Sequence, residues 1–194
     1  MGFFYNYFVC GIPMLFPYHF DSPLTPSAVK IQRENLKEFE RQHFTDYSVF
    51  ELIANRTQFC DDLLKQLWLQ FELDKAHLTL IAVGGYGRQE IFPLSDLDVL
   101  ILSKEERESE TEEKIAQFVQ FLWDCGFDVG HGVRSLEECE KEGKQDITIA
   151  TNLLESRYLS GDLSLFNALG EILKKPDFWA IKPFFDAKVQ EQIE

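Results

Sequence analysis

The pattern of apolar and polar residues alternates between helical spacing and short apolar runs, which predicts mixed α and β structure. Apolar runs of strand length occupy residues 78–83 (LTLIAV), 96–102 (DLDVLIL) and 127–133 (FDVGHGV). The alternation of strand and helix patterns after Leu78 predicts an α/β (α+β) fold, in which a short mixed sheet with helices on one face follows a helical hairpin. Helical spacing predicts helices over residues 28–43, 48–71, 109–126, a short stretch from 135, 146–159, 163–174 and 183–194.

Local signals mark the ends of several predicted helices. The S-x-x-E spacing of a capping box, in which a serine and a glutamate satisfy the first backbone N–H groups, occurs at three predicted starts. Glycines that end a helix are expected at Gly126 and Gly161. The three predicted capping pairs are Ser48 with Glu51, Ser109 with Glu112, and Ser135 with Glu138.

Composition and charge narrow the classes of function. The chain has 194 residues and a net charge of −14, with 33 acidic against 19 basic residues. This balance argues against binding along a nucleic-acid backbone, which requires clustered Lys and Arg. No apolar run reaches the length of a membrane span, and the aromatic start lacks a basic segment and is interrupted by Pro13 and Pro17. The four cysteines show no metal-ligand or disulfide spacing, and we expect them to be free buried thiols in a reducing compartment. Taken together, the charge, the lack of a membrane span and the cysteines predict a cytoplasmic protein without nucleic-acid or membrane partners.

The two apolar runs at 78–83 and 96–102 flank a glycine-rich turn, and the second begins with two aspartates. Because strand side chains alternate between faces, Asp96 and Asp98 point the same way, with Cα atoms about 6.5–7 Å apart. Two carboxylates this close repel each other, and a divalent cation such as Mg²⁺ removes the repulsion. A D-x-D pattern alone also fits two solvent-exposed acids without a ligand, so the choice between a metal site and two solvated acids depends on the neighbouring residues.

The glycines before the aspartates favour a phosphate site. Gly84 and Gly85 follow directly on a strand, where backbone amides can approach a phosphate closely. Neither the G-x-x-x-x-G-K-[ST] nor the G-x-G-x-x-G phosphate pattern is present. Ser95 would add a hydroxyl to the phosphates, and Arg88 would neutralise one of them. The alternative interpretations are a tight turn for the glycines and a surface ion pair for Arg88.

Three long stretches carry a family resemblance. AVGGYGRQEIFPLSDLDVLIL, LWDCGFDVGHGVRSLEEC and DITIATNLLESRYLSGD resemble the amino-terminal part of bacterial PII protein uridylyltransferases, members of the DNA polymerase beta-like nucleotidyltransferase superfamily. The resemblance extends from about Ser48 to the end of the chain. The family usually has Gly where Gln89 stands and Ser where Gly132 stands, and the first departure bears on the shape of the phosphate loop.

The resemblance implies an activity and assigns roles. Enzymes of this family use UTP and Mg²⁺ to attach UMP to a tyrosine of the PII signalling protein, and they release pyrophosphate. It implies that Gly84, Gly85 and Ser95 hold the triphosphate and that Asp96 and Asp98 hold the metal.

The resemblance also implies a third carboxylate, on a strand beside the aspartate pair, which joins the pair in binding metal and helps to deprotonate the acceptor hydroxyl, as a general base or through its metal. Asp128 is our candidate because it interrupts an apolar strand pattern; Asp124 and Asp146 remain alternatives, expected to end one helix and cap another. His131 would either contact substrate or serve as a hydrogen-bonded structural residue.

The expected organisation is an amino-terminal tail over 1–26, a helical segment over 27–75 and a nucleotidyltransferase core over 76–194, truncated at its carboxyl end. Longer family members continue with a hydrolase domain that removes UMP and with glutamine-sensing domains. Two alternatives stay open: a truncated, non-catalytic nucleotide-binding remnant, or a related nucleotidyltransferase with another acceptor.

Overall fold

The structure is a computed structural model that describes residues 8–9, 12–104, 108–178 and 189. The helix predicted over 183–194 lies outside the described residues apart from position 189. The helices are α1 Pro26–Gln42, α2 Val49–Gln70, α3 Gly84–Gly87, α4 Ser109–Asp124, α5 Leu136–Gln145, α6 Ile147–Leu154 and α7 Leu163–Leu173. The strands are β1 Phe8–Val9, β2 Ile12–Pro13, β3 Leu78–Ala82, β4 Leu97–Ser103, β5 Val129–Ser135 and β6 Arg157–Gly161.

The described residues form a mixed sheet with the strand order β5-β4-β3-β6, and β1 and β2 pair separately. Strand β3 is antiparallel to both β4 and β6, whereas β4 and β5 are parallel. The two apolar runs that flank the glycine turn are therefore adjacent strands of one sheet. The predicted α/β class, with a short mixed sheet after a helical segment, is confirmed.

The helices cover both faces of the sheet, which corrects the expectation that they lie on one face. Leu80 and Val99 pack with α1, α2 and α4 in one hydrophobic core. Ile81, Leu100 and Leu102 pack with α5, α6 and α7 in a second core. The reason lies in the sequence of β3 and β4, whose successive residues are apolar on both faces and must be buried on both.

Strand β6 corrects the helix predicted over 146–159. Helix α6 ends at Leu154, and residues 157–161 pair antiparallel with β3, so that Ala82 lies opposite Arg157 and Thr79 opposite Gly161. The prediction failed because the stretch RYLSG follows an apolar helix with no glycine or proline to separate them. The open edge of β3 supplies hydrogen-bond partners that local sequence cannot reveal.

Two of the three predicted capping boxes are present. Those of Ser48 with Glu51 and of Ser135 with Glu138 form as predicted. At α4 the cap position belongs to Glu108, because the Glu112 N–H bonds to the Glu108 carbonyl at 3.1 Å and starts the helix one residue earlier than a Ser109 cap requires.

The cysteines described by the structure are buried free thiols, as the sequence predicted: Cys60, Cys125 and Cys139. Burial raises the pKa of each of these thiols to about 12, so all three stay protonated at neutral pH. Cys10 lies outside the described residues. Within the described ranges, none of the helices combines the length and apolar character that a bilayer crossing needs.

Candidate functional site

The strand directions bring the predicted site residues to one end of the sheet. The glycine turn, which is the short helix α3 over Gly84–Gly87, follows the carboxyl end of β3. Asp96 and Asp98 lie at the amino end of the antiparallel strand β4. Strand β5 is parallel to β4, so Asp128 immediately precedes β5 at the same end. The Asp128 carbonyl accepts a hydrogen bond from the Leu97 N–H at 2.9 Å, which joins the two strand starts.

The carboxylate of Asp98 lies over a glycine of the neighbouring strand. Asp98 and Gly130 are register partners in the β4–β5 ladder. A Cβ atom added to Gly130 would be 2.2 Å from an Asp98 carboxylate oxygen, so no larger residue fits there without moving the acid. Gly130 was not predicted from the sequence, although a glycine inside a strand often marks the close approach of another group.

Burial and charge act together on Asp98. The pKa of its carboxyl is raised, first by burial in the sheet end and second by the negative charge of Asp96. Asp96 itself is exposed, whereas Asp98 is half-buried. The two carboxylates therefore interact electrostatically, as the D-x-D spacing predicted, and a bound cation would relieve their repulsion.

The glycine turn approaches Asp98 directly. Gly84 has a backbone φ of +57°, a left-handed conformation that residues with a side chain rarely adopt. A Cβ atom at this position would be 3.5 Å from an Asp98 carboxylate oxygen and 3.3 Å from the Asn152 side-chain oxygen. Gly85 is half-buried beside it, and its carbonyl accepts a hydrogen bond from the Glu90 N–H at 2.8 Å. Gly84, Asp98 and Asn152 thus form one corner of the site.

Arg88 and Ser95 have other partners in this structure. Arg88 donates from Nε to Glu90 at 2.8 Å and also pairs with Glu155, which corresponds to the surface ion pair considered as its alternative. The Ser95 hydroxyl accepts a hydrogen bond from the Phe92 N–H at 3.1 Å and lies exposed just before Asp96. Neither side chain has a described hydrogen bond to the aspartate pair, and their phosphate roles stay predictions.

The candidate third carboxylates occupy three different settings. Asp128 is exposed, and extension of the strand register places it beside Asp96. Asp124 ends α4 and accepts a hydrogen bond from the Gln120 amide at 2.9 Å. Asp146 caps α6, as expected of a structural acid. Among the residues that the structure describes, no cluster of three or more Asp, Glu, His or Cys side chains is close enough to hold a metal ion.

His131 lies on the opposite side of β5 from Gly130, because neighbouring strand residues alternate between faces. Its ring packs edge-on against Trp123, with the ring centroids 5.7 Å apart. This contact favours the structural interpretation of His131.

A cavity of about 200 Å³ adjoins Asp98 on the side of α6. Arg134 and Asn152 line it, and neither was predicted from the sequence. They come from β5 and α6, and only the packing of α6 on the sheet brings them beside Asp98. No local pattern in the sequence signals this placement.

A buried polar network between α2 and β6 contacts the glycine turn. Arg157 of β6 donates to both carboxylate oxygens of Asp61 in α2, at 2.6 and 3.0 Å. Asp61 also accepts a hydrogen bond from the Tyr86 hydroxyl at 2.8 Å. The Arg157 guanidinium further contacts the carbonyl oxygens of Tyr86 and Gly87, each at 3.3 Å. The network therefore connects α2 and β6 to the backbone of the turn.

Comparison with known proteins identifies relatives of the same kind. The family described as "Putative nucleotidyltransferase DUF294" matches residues 35–139, more than half of the chain. A bifunctional uridylyltransferase/uridylyl-removing enzyme of Haemophilus influenzae (strain PittEE) is 63% identical over 182 residues, which cover 93% of this chain and 21% of that protein. Proteins of the same name from Pasteurella multocida (strain Pm70) and Vibrio cholerae serotype O1 are 62% and 41% identical, over 93% and 94% of this chain.

The chain spans about a fifth of the length of these curated relatives. The family match includes the glycine turn, both aspartates of the pair and strand β5. The chain belongs to the nucleotidyltransferase family DUF294.

Proposed function

We propose that this chain carries the site for Mg²⁺-dependent transfer of UMP from UTP to a tyrosine of the PII signalling protein, with release of pyrophosphate. The observation that carries the proposal is the position of the Asp98 carboxylate, which interacts electrostatically with Asp96 and lies 3.5 Å from the point that a Cβ atom on Gly84 would occupy. The uridylyltransferase names of relatives more than 60% identical support the choice of nucleotide and reaction.

The donor set fits Mg²⁺, which proteins bind through one or two carboxylates together with phosphate oxygens and water. Asp96 and Asp98 are the residues that would hold it. When bound, the ion supplies positive charge to the phosphates, which this acidic chain does not provide through clustered basic residues.

Other residues of the chain bind the triphosphate and accept the proton of the acceptor. The backbone of Gly84 and Gly85 holds the triphosphate beside Asp98, and the Ser95 hydroxyl adds a hydrogen bond. The tyrosine oxygen of the acceptor attacks the α-phosphorus in line, and the bond from that phosphorus to the β-phosphate oxygen breaks. Asp128 accepts the phenolic proton, and its exposed position makes it reachable from solvent by the acceptor protein.

The test is transfer of labelled UMP to purified PII protein by this chain, with Mg²⁺ and with a chelator. We expect labelling that requires the metal and that falls by more than ~100-fold in Asp98→Asn and Asp128→Asn, since each removes a group used in the transition state. UTP binding by Asp128→Asn should change much less than turnover, because the glycine turn is intact. Asp124→Asn and Asp146→Asn are matched controls that should retain activity in proportion to folded protein.

Each outcome distinguishes the candidate functions. Binding of UTP without transfer would indicate a non-catalytic nucleotide-binding module. Transfer from another nucleotide, or to another acceptor in a panel of both, would indicate a related nucleotidyltransferase. Normal rates in Asp128→Asn would refute the role of Asp128 as the proton acceptor.

A further inference from the structure

The cavity beside Asp98 has a floor without side chains. Strand residues at 130, 132 and 134 share one face of β5, and the first two are glycines. We call Gly130 and Gly132 the glycine floor. The Asp98 carboxylate lies over Gly130, and a terminal nitrogen of Arg134 lies over Gly132, 2.5 Å from where a Cβ atom would stand. An acid and a guanidinium therefore occupy neighbouring places along one open slot.

Arg134 is held in place but still has donors to offer. Its Nε donates to a Glu142 carboxylate oxygen at 2.6 Å, which orients the guanidinium. Among the described residues, no hydrogen bond uses its two terminal nitrogens, and the Arg134 side chain lines the cavity. A guanidinium with free donors in a partly buried slot is suited to bind an acceptor oxygen of a ligand.

Asn152 supplies a second polar group nearer to Asp98. Its side-chain oxygen lies between α6 and the glycine turn, 3.3 Å from the point that a Cβ atom on Gly84 would occupy. No hydrogen bond of this side chain occurs among the described residues. The remaining walls of the cavity are largely apolar, from Val83, Leu100, Ile149 and Leu153.

We propose that this slot binds the nucleoside half of the nucleotide. The inference rests on the proposed function, which assigns the phosphates to the glycine turn on the other side of Asp98. From the α-phosphate at Asp98, the sugar would come next, beside Asn152, and the base would follow over the glycine floor toward Arg134. Gly130 and Gly132 lie about 6.5–7 Å apart along the strand, and neither has a side chain that would obstruct the sugar or the base.

The chemistry of the slot agrees with that order. Apolar walls suit the faces of a planar base, whereas a triphosphate would require a polar lining. Arg134 donates to a carbonyl oxygen of the base, and Asn152 forms a hydrogen bond with a hydroxyl of the sugar. Arg134, which lies over Gly132 and away from the glycine turn, would therefore contribute to the choice of nucleoside and not to binding of the phosphates, whereas Asn152, beside Gly84, lies where the sugar meets the phosphates.

The test compares two ligands by calorimetry, UTP and inorganic tripolyphosphate, both with Mg²⁺. Arg134→Ala and Asn152→Ala should each weaken UTP binding by about 10-fold, the cost of losing one strong hydrogen bond, and Arg134→Ala should leave tripolyphosphate binding unchanged. Asp98→Asn should weaken the binding of both UTP and tripolyphosphate. Arg41→Ala, on the exposed face of α1, and Asn167→Ala, exposed on α7, are matched controls expected to change neither.

The failures of the two proposals are distinguishable. If the unaltered chain binds neither ligand, the proposed function fails. If it binds both, and either Arg134→Ala weakens both ligands equally or neither slot variant weakens UTP binding, the slot inference alone is overturned. Thermal melting establishes that each variant is folded, and if one variant does not fold, the other tests the slot from a different element.

Discussion

At the scale of single residues, Gln89 shows how the glycine-rich turn is completed at a position where the family resemblance implies a glycine. Gln89 has a backbone φ of +64°, in the left-handed region that favours glycine. Its N–H donates to the Tyr86 carbonyl at 3.1 Å, and its carbonyl accepts from the Thr57 hydroxyl at 3.2 Å. These bonds retain the turn in this conformation despite the side chain. The glycine that the family resemblance implies at this position would therefore have a conformational reason.

We therefore expect Gln89→Gly to stabilise the protein. Removal of the side chain relieves the left-handed strain, which for a residue other than glycine is worth ~1 kcal/mol, partly offset by the greater freedom of glycine in the unfolded chain. Urea denaturation should show a higher midpoint with an unchanged slope. A lower midpoint would mean that the glutamine side chain contributes more than the strain costs.

Asp98 should make stability depend on pH in a defined direction. The pKa of its carboxyl is raised in the folded state, so ionisation of Asp98 opposes folding. The stability that the protonated form contributes is present at low pH and is lost as pH rises through the folded pKa. Asp98→Asn removes this ionisation. The variant should have a larger free energy of unfolding than the unaltered chain at pH 7, and the difference should disappear below the ordinary aspartate pKa of 3.8.

Thermal melts of the two proteins from pH 3 to pH 8 would measure this difference. Asp96→Asn removes only the charge of Asp96, the smaller cause of the raised Asp98 pKa. Its gain in free energy of unfolding at pH 7 should therefore be smaller than that of Asp98→Asn. A stability gain that is constant across the pH range would contradict the assignment. The expected loss of activity in the same variant would show that the acid is retained for chemistry at a cost in stability.

At the scale of elements, β6 and α2 hold the glycine turn between them. Asp61 has a side chain only 7% exposed, and it is paired with Arg157 and with the Tyr86 hydroxyl. Burial is the main cause that raises the pKa of Tyr86, which keeps its hydroxyl protonated as the donor to Asp61. The turn that approaches Asp98 therefore depends on an ion pair between elements 96 residues apart in the chain.

We expect Arg157→Met to lower the free energy of unfolding by about 3–5 kcal/mol, because it leaves the buried Asp61 charge without its cation. The double variant Asp61→Leu with Arg157→Met should lose much less than the sum of the two single changes, since no unpaired charge remains. A double-mutant cycle by urea denaturation measures the coupling. Additive effects would show that the pair does not act as a unit.

At the scale of the whole molecule, the sheet lies between two hydrophobic cores, and the site opens at one end of it. The amino-terminal residues also take part, since Phe16 and Leu24 are buried in the first core. The Asn55 side-chain oxygen accepts hydrogen bonds from the N–H groups of Leu15 and Phe16, both at 3.1 Å. Part of the predicted tail over 1–26 thus packs against α2, and the predicted domain boundaries stay a prediction.

The sequence by itself determined the features that depend on neighbouring residues. Strands β3 and β4, the capping boxes at Ser48 and Ser135, the glycine turn and the electrostatic interaction of Asp96 with Asp98 all follow from spacings of a few residues. Alternation in a strand and hydrogen bonding in the first turn of a helix are short-range effects, and one sequence suffices to read them.

Only the tertiary structure decided which distant groups meet at the site. Strand β6 exists because β3 offers it hydrogen bonds, and Gly130 is a glycine because the Asp98 carboxylate of another strand lies over it. Arg88 is paired with Glu155, 67 residues away, and Asn152 and Arg134 reach the Asp98 cavity from separate elements. These contacts depend on how the elements pack, which local patterns do not encode.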